Sequence, residues 1–317
     1  MKRAPHPQDP IGIFDSGVGG LTVLDALRRL LPGERYLYLG DTAHLPYGTK
    51  SAHRVGEEAL QAARFLVAHG IKLLVVACNT ATALALDRIE ETFAPLPVLG
   101  VIQPGAHEAV RNSRAGSIGL LATEATIRSG AYPAALAALR PAVRCATQAA
   151  PILVALAEEG WFTGTETEGI LNRYLAPLFA TGAEPPDCLL LGCTHFPPFR
   201  PLLARLVPAG TAIVDSAQTT ALAAARTLRQ RGLLATRGEG SREDPPEPRY
   251  YVTDNPERFL RIAPHFLSPA PDAVFLISDL ATRSGSLVPT RVIHPGHPDS
   301  RNHEGQKDAR APGDGAA

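Results

Sequence analysis

KLLVVACNTATA, residues 72–83, decides the fold. Its apolar residues run without a break from Leu73 to Ala77 and stop at Cys78. A strand half in water would alternate polar and apolar side chains; a continuous run suits a strand buried on both faces, as in a parallel sheet. Asn79 and Thr80 then lead into an Ala-rich stretch that reads as a helix. The pattern returns at CLLLGCTHFP, residues 188–197, where an apolar run closes on Gly192 and is followed by Cys193, Thr194 and His195. In open α/β sheets, ligands bind at the carboxyl ends of the strands. One cysteine in such a place is usually an inert small hydrophobe. Two in matching settings, facing one ligand from opposite sides, make a two-base proton-transfer site, and that points to a racemase.

Further strands are expected at IGIFD (11–15), RYLYLG (35–40), VLGV (98–101), SIGLLA (117–122), VRCATQ (143–148), AIVD (212–215), RYYVT (249–253) and AVFLIS (273–278). Between them, stretches such as LTVLDALRRLL (21–31) and residues 51–69 carry apolar side chains at helical spacing. Strand and helix alternating this often predict an α/β fold with parallel sheets and right-handed crossovers. VLGVIQPG (98–105) and VPAGTAIVD (207–215) read as crossing points between two halves. The expected division is 1–100 plus 211–283 for the first domain and 101–210 for the second. The charged, Pro-rich stretch 236–248 reads as a flexible loop. Residues 284–317 lack apolar periodicity and are expected to be a disordered tail.

Composition narrows the function. The 317 residues are 45% hydrophobic, enough for one large or two medium domains. Lys plus Arg and Asp plus Glu each number 31, so nothing in the charge favours nucleic acid or an anionic membrane as partner. The start, MKRAPHPQDP, lacks the apolar core of a signal peptide, and no run approaches a membrane span. A cytoplasmic protein is expected. The four cysteines (Cys78, Cys145, Cys188 and Cys193) form no CxxC pair and no zinc pattern, which suits free thiols in a reducing compartment. No metal site and no pyridoxal pattern is legible. Cys145 and Cys188 lie inside strand-like segments and read as inert.

Other motifs supply what a cofactor-free proton transfer needs. DSGVGG (15–20) follows a strand and precedes a helix, so its glycines allow a tight turn beside a ligand. It matches neither a phosphate loop nor a dinucleotide fingerprint. Asp15 and Ser16 are its candidate ligand contacts. GDTAHLPYG (40–48) reads as a loop at the sheet edge, with the Gly48 N–H available to a carboxylate. Asn79, Thr80 and Thr194 offer amide and hydroxyl groups beside the thiols, and His195 can polarise Cys193. A thiol at a helix N-terminus is expected to have a lowered pKa. With no cofactor, the carbanion must be stabilised by hydrogen bonds and charge.

Taken together, FDSGVGGLTVL, YLGDTAHLPYG, ACNTATA, GVIQPG, LLGCTHFP and IVDSA resemble the bacterial glutamate racemases of the aspartate/glutamate racemase superfamily, in the family's order from about residue 11 to 217. The resemblance implies two similar flavodoxin-like α/β domains with mostly parallel sheets and the active site at their interface. It implies catalysis by Cys78 and Cys193, the first serving D-glutamate and the second L-glutamate. Asp15 and His195 match positions that assist the thiols. Asp15, Ser16, Tyr47, Gly48, Asn79, Thr80, Thr194 and His195 match substrate contacts. PILVALAEEG (151–160) matches a stretch bearing an acidic helper, taken as Glu158 rather than Glu159. Also implied are a homodimer, no cofactor or metal, and a role in supplying D-glutamate for peptidoglycan. The rivals are an aspartate or other amino-acid racemase of the same superfamily, and a non-catalytic amino-acid-binding protein on this fold.

Overall fold

The computed structural model describes residues 4–180, 184–235, 247–277, 280 and 290–293. In chain order its strands are β1 (Ile11–Asp15), β2 (Tyr36–Gly40), β3 (Leu73–Val76), β4 (Val98–Gly100), β5 (Ser117–Ala122), β6 (Arg144–Ala149), β7 (Cys188–Gly192), β8 (Ala212–Asp215), β9 (Arg249–Val252), β10 (Ala273–Leu276) and β11 (Thr290–Ile293). They form a larger sheet, β11-β10-β9-β2-β1-β3-β4, and a smaller one, β6-β5-β7-β8. Every pairing is parallel except β10 with β11. Numbered within its own half, each sheet contains the flavodoxin-like order 2-1-3-4, as β2-β1-β3-β4 and as β6-β5-β7-β8.

The expected strands are all present, with ends shifted by no more than two residues. The apolar runs became the inner strands: β1, β3, β5 and β7 are buried along their whole length. Helices cover them. The helix Ala52–Ala68 starts at Ser51, whose Oγ accepts the Arg54 N–H at 3.3 Å. The helix Asn79–Phe93 starts at Cys78 itself, whose Sγ accepts the Ala81 N–H at 3.5 Å. One apolar cluster runs from Ile13 and Leu24 through Leu121 and Leu191 to Phe259, tying the two sheets together. Each such side chain contributes roughly 1.5–3 kcal/mol when fully buried, so this cluster holds the two sheets against each other.

Two expectations change. The sequence places residues 212–215 in the first half, yet β8 pairs with β7, Leu190 facing Val214. The chain leaves the smaller sheet only with the helix Ser216–Gln230, which packs on the helix Leu21–Leu30. A short apolar run declares a strand but not the sheet it joins. The tail from 284 also needs correction, because Thr290–Ile293 pairs antiparallel with β10. This four-residue edge strand is too short to show periodicity, though three of its residues (Thr290, Val292 and Ile293) are β-branched. The remainder of that tail and most of the loop expected at 236–248 lie outside the described residues.

Candidate active site

In the order 2-1-3-4 the connections after the first and third strands turn to opposite sides, and the crevice between them receives ligands. Here that crevice occurs twice, face to face. Phe14 lies opposite Val76, so the register continues to set Ser16 beside Cys78. Ala122 lies opposite Gly192, which sets Thr123 beside Cys193. All four residues line one cavity of about 330 Å³. Tyr47, Gly48, Asn79, Thr80, Glu158, Thr194 and His195 line it too. Asp15 is the expected contact that the lining leaves out; it is fully buried.

Cys78 sits in a buried, closed setting. Its thiol is 3.5 Å from Ser16 Oγ. Burial pushes it up to about 12, and the Asp15 charge adds to this against the opposing Ser16 and Ala81 contacts. The helix N-terminus therefore does not give the lowered pKa expected from sequence, because desolvation of the thiolate outweighs one weak N–H contact. Asp15 is itself raised, by burial first, against the opposing pull of His195 and three backbone N–H groups. Its Oδ2 accepts the Gly17 N–H at 2.9 Å, while its buried Oδ1 has no protein partner. Asn79 is placed similarly. Tyr132 donates to its Oδ1 at 2.7 Å, and its Nδ2 is buried without a protein partner. Buried polar atoms are nearly always paired, so Asn79 Nδ2, on a residue of the cavity lining, is open to a polar ligand, while Asp15 Oδ1 lies behind that lining.

Cys193 sits in a charged setting. It is followed by a turn and the short 3-10 turn Pro197–Phe199 rather than directly by a helix. Its Sγ is 3.9 Å from His195 Nδ1. His195 Nε2 is 3.3 Å from Glu158 Oε1, and Glu158 Oε2 accepts from Arg258 at 2.7 Å. Burial opposes charge on His195, but Cys193 and Glu158 outweigh it and hold the imidazole up at about 10. Burial likewise opposes charge on Glu158, yet the His195 hydrogen bond and the charges of His195, Arg258 and Arg261 keep it below its ordinary range. Glu159 is exposed, so Glu158 is the acid that faces the site.

The glycines of DSGVGG are now explained by close approach. A Cβ on Gly19 would sit 2.5 Å from Thr194 Oγ1 and closer still to His195 Nδ1. A Cβ on Gly20 would press on Asp15. Thr22 Oγ1 also reaches the Thr194 carbonyl at 3.1 Å. The first motif is thus packed against the second cysteine's loop. Sequence reading missed Thr123, Glu124, Thr49 and Arg258, all of which line the cavity. Thr123 carried a signal, a hydroxyl residue between a strand and a helix in LLATEAT; Arg258 carried none, since it arrives from the far end of the chain.

Asp41, His44 and Glu58 bring three potential ligand atoms within 4.8 Å of one another. Each is engaged by protein groups. Asp41 accepts from Tyr47 OH at 2.6 Å and Thr253 Oγ1 at 2.8 Å, His44 bridges Asp41 and Glu58, and Arg54 pairs with Glu58 at 2.5 Å. The cluster acts as a brace for the loop bearing Tyr47 and Gly48. Among the described residues, no helix is long and apolar enough to cross a membrane.

Comparison with known proteins fits this geometry. A glutamate racemase of Koribacter versatilis is 45% identical over 283 residues, covering 83% of this chain and 95% of that protein. The crystal structure of glutamate racemase from Thermus thermophilus, in complex with beta-chloro-D-alanine, superposes with a TM-score of 0.75 at 40% identity, over 86% of this chain and 98% of the other. The Francisella tularensis enzyme in complex with D-glutamate gives 0.78 at 32% identity, over 87% and 99%. The family model "Asp/Glu/Hydantoin racemase" matches residues 12–241. With paired thiols on the matching strand ends of two like-ordered sheets, and with these similarities along most of its length, the chain belongs to the Asp/Glu/hydantoin racemase family.

Proposed function

We propose that this chain is a glutamate racemase, interconverting L- and D-glutamate with Cys78 and Cys193 as its two bases. The observation that carries the reading is that both thiols line one cavity from equivalent strands of opposing sheets. One thiolate removes the Cα proton from one face. The electron pair is held on the α-carboxylate as an enolate-like carbanion. The opposite thiol then donates its proton to the other face and is left as the thiolate. Cys78 handles the proton of D-glutamate and Cys193 that of L-glutamate. Asp15 assists Cys78, while His195, backed by Glu158, assists Cys193. Ser16, Tyr47, Gly48, Asn79, Thr80 and Thr194 bind the substrate, with the unpaired Asn79 Nδ2 a ready donor to a carboxylate. No metal or organic cofactor takes part in this scheme.

The reading carries three corollaries. The first unit is the larger sheet with its helices and the second is the smaller sheet, with the return placed after Asp215. The enzyme works in the cytoplasm as a homodimer. Its product D-glutamate feeds peptidoglycan synthesis. The deciding experiment incubates the full chain with L- and D-glutamate, and separately with both aspartates, in D₂O. Circular dichroism and proton NMR then follow inversion and loss of the Cα proton. Inversion of both glutamates with solvent deuterium at Cα is expected. Absence of exchange with either enantiomer sinks the racemase reading, and faster turnover of aspartate sinks the choice of substrate.

A further inference from the structure

We propose that Arg258 is a positioning residue for the Cys193 half of the site, fixing Glu158 and through it His195. This rests on the two-thiol reading above. The helix Pro256–Ile262 follows β9 of the larger sheet, whereas Glu158 ends the helix Ile152–Glu158 that follows β6 of the smaller one. The Arg258–Glu158 pair, at 2.7 Å, therefore joins the two halves at the cavity wall.

Glu158 divides its two oxygens. Oε1 meets His195 Nε2, and Oε2 is taken by the guanidinium. Without Arg258 the carboxylate loses the partner that fixes its rotation, and His195 loses a fixed counter-charge. The arginine is itself held from behind. The Asn255 side chain accepts the Arg258 N–H at 3.1 Å, and Asn255 adopts φ 45°, a left-handed conformation that Asn tolerates better than most residues. Thr42 Oγ1 accepts the Asp254 N–H at 2.9 Å, and Thr253 Oγ1 donates to Asp41 at 2.8 Å. Asp41 also holds Tyr47. The brace behind the Tyr47 wall thus extends through Arg258 to the Cys193 relay. The arginine side chain is 45% exposed, so the pair adds little to stability in water. Its place beside the relay gives it a consequence for turnover.

The test compares the full-length wild type with R258A, R258K, E158Q and the R258A/E158Q double variant. An equilibrium constant near one makes kcat/KM fall equally in both directions, so rates alone cannot locate the damage. Deuterium at Cα can. R258A should lower kcat about ten-fold, the worth of one charge-assisted hydrogen bond, with KM little changed. Its primary isotope effect should rise when the reaction starts from L-glutamate and fall when it starts from D-glutamate, because the Cys193 step has become slower. R258K should recover most of the rate. The double variant should be no slower than E158Q, since the arginine acts through that glutamate. Unchanged turnover in R258A overturns the proposal, as do equal isotope shifts from both enantiomers or independent losses in the double variant. A wild-type chain that fails to racemise glutamate overturns the reading beneath it instead.

Discussion

Cys78 and Cys193 leave corresponding strands of two sheets with the same order, yet the two halves surround them with different chemistry. Cys78 has a hydroxyl, one N–H and a buried carboxyl close by, and burial keeps its proton on. Cys193 has an imidazole backed by a carboxylate and a guanidinium. A repeated fold therefore supplies matched positions without matched environments. A two-base racemase benefits from this, because at the start of each turnover one thiol must hold a proton and the other must accept one. With Cys193 as the proposed base for L-glutamate, a Cys78 thiol raised by burial suits proton donation in the L-to-D direction. The reverse cycle begins from the other protonation state of the pair.

Removing either thiol tests the comparison most severely. Cys78→Ala and Cys193→Ala should each lower racemisation in both directions by about 10³-fold or more, as loss of an essential acid–base group requires. Circular dichroism of each enantiomer measures this. Substantial turnover in one variant alone would leave a single thiol doing both faces, and the symmetry of the halves would lose its meaning.

The proposed helpers come next. Asp15→Asn and His195→Asn should each cost about 10²-fold, the low end for a group assisting proton transfer. Their isotope signatures should be opposite. His195→Asn should raise the effect from L-glutamate, and Asp15→Asn should raise it from D-glutamate. Matching signatures would mean that the two environments act on one common step.

The halves were unequally legible in sequence. Both thiols, the strands beneath them, and Ser16, Asn79 and Thr194 announce themselves because each lies within three residues of a strand end, and Tyr47 because it sits in the Pro-Tyr-Gly turn after β2. The helper role of Asp15 and the choice of Glu158 rest on motif resemblance, whereas His195 is legible from its place two residues after Cys193. What stayed hidden depends on distant contacts. Arg258 lies 100 residues from Glu158, and burial of Cys78 reverses what its helix-capping position alone predicts. The membership of β8 was hidden for a related reason, since pairing partners are not written in a strand's own residues.

Acidity gives a third, smaller effect confined to one half. The folded-state pKa of His195 is raised from 6.5 to about 10. A raised value means that the folded state binds this proton more tightly than the unfolded chain. The stabilisation is thus complete below about pH 6.5 and is lost as pH rises through about 10. Urea unfolding at pH 6 and pH 10 should show a steeper loss for the wild type than for His195→Asn, by a few kcal/mol at most. Parallel losses would show that the imidazolium is not held by Cys193 and Glu158.

The smallest effect compares two thiols on a single strand. Cys188 starts β7 and Cys193 follows its end. Cys188 is fully buried among Ile118, Leu190 and Val214, and burial raises it to about 12, with Asp187 and Glu108 adding to the shift. Cys78 is raised to a similar degree, so acidity does not separate Cys188 from the proposed base. Position does, because Cys188 lies outside the cavity lining, at the amino end of its strand. Cys188→Ala should therefore cost about 1 kcal/mol of stability, as for deletion of one small buried group, and leave racemisation unchanged. Thermal unfolding and turnover of the same preparation measure both. A loss of turnover beyond that of unfolded protein would mean that packing at the start of β7 controls where Cys193 stands, and the strand end alone would no longer account for the site.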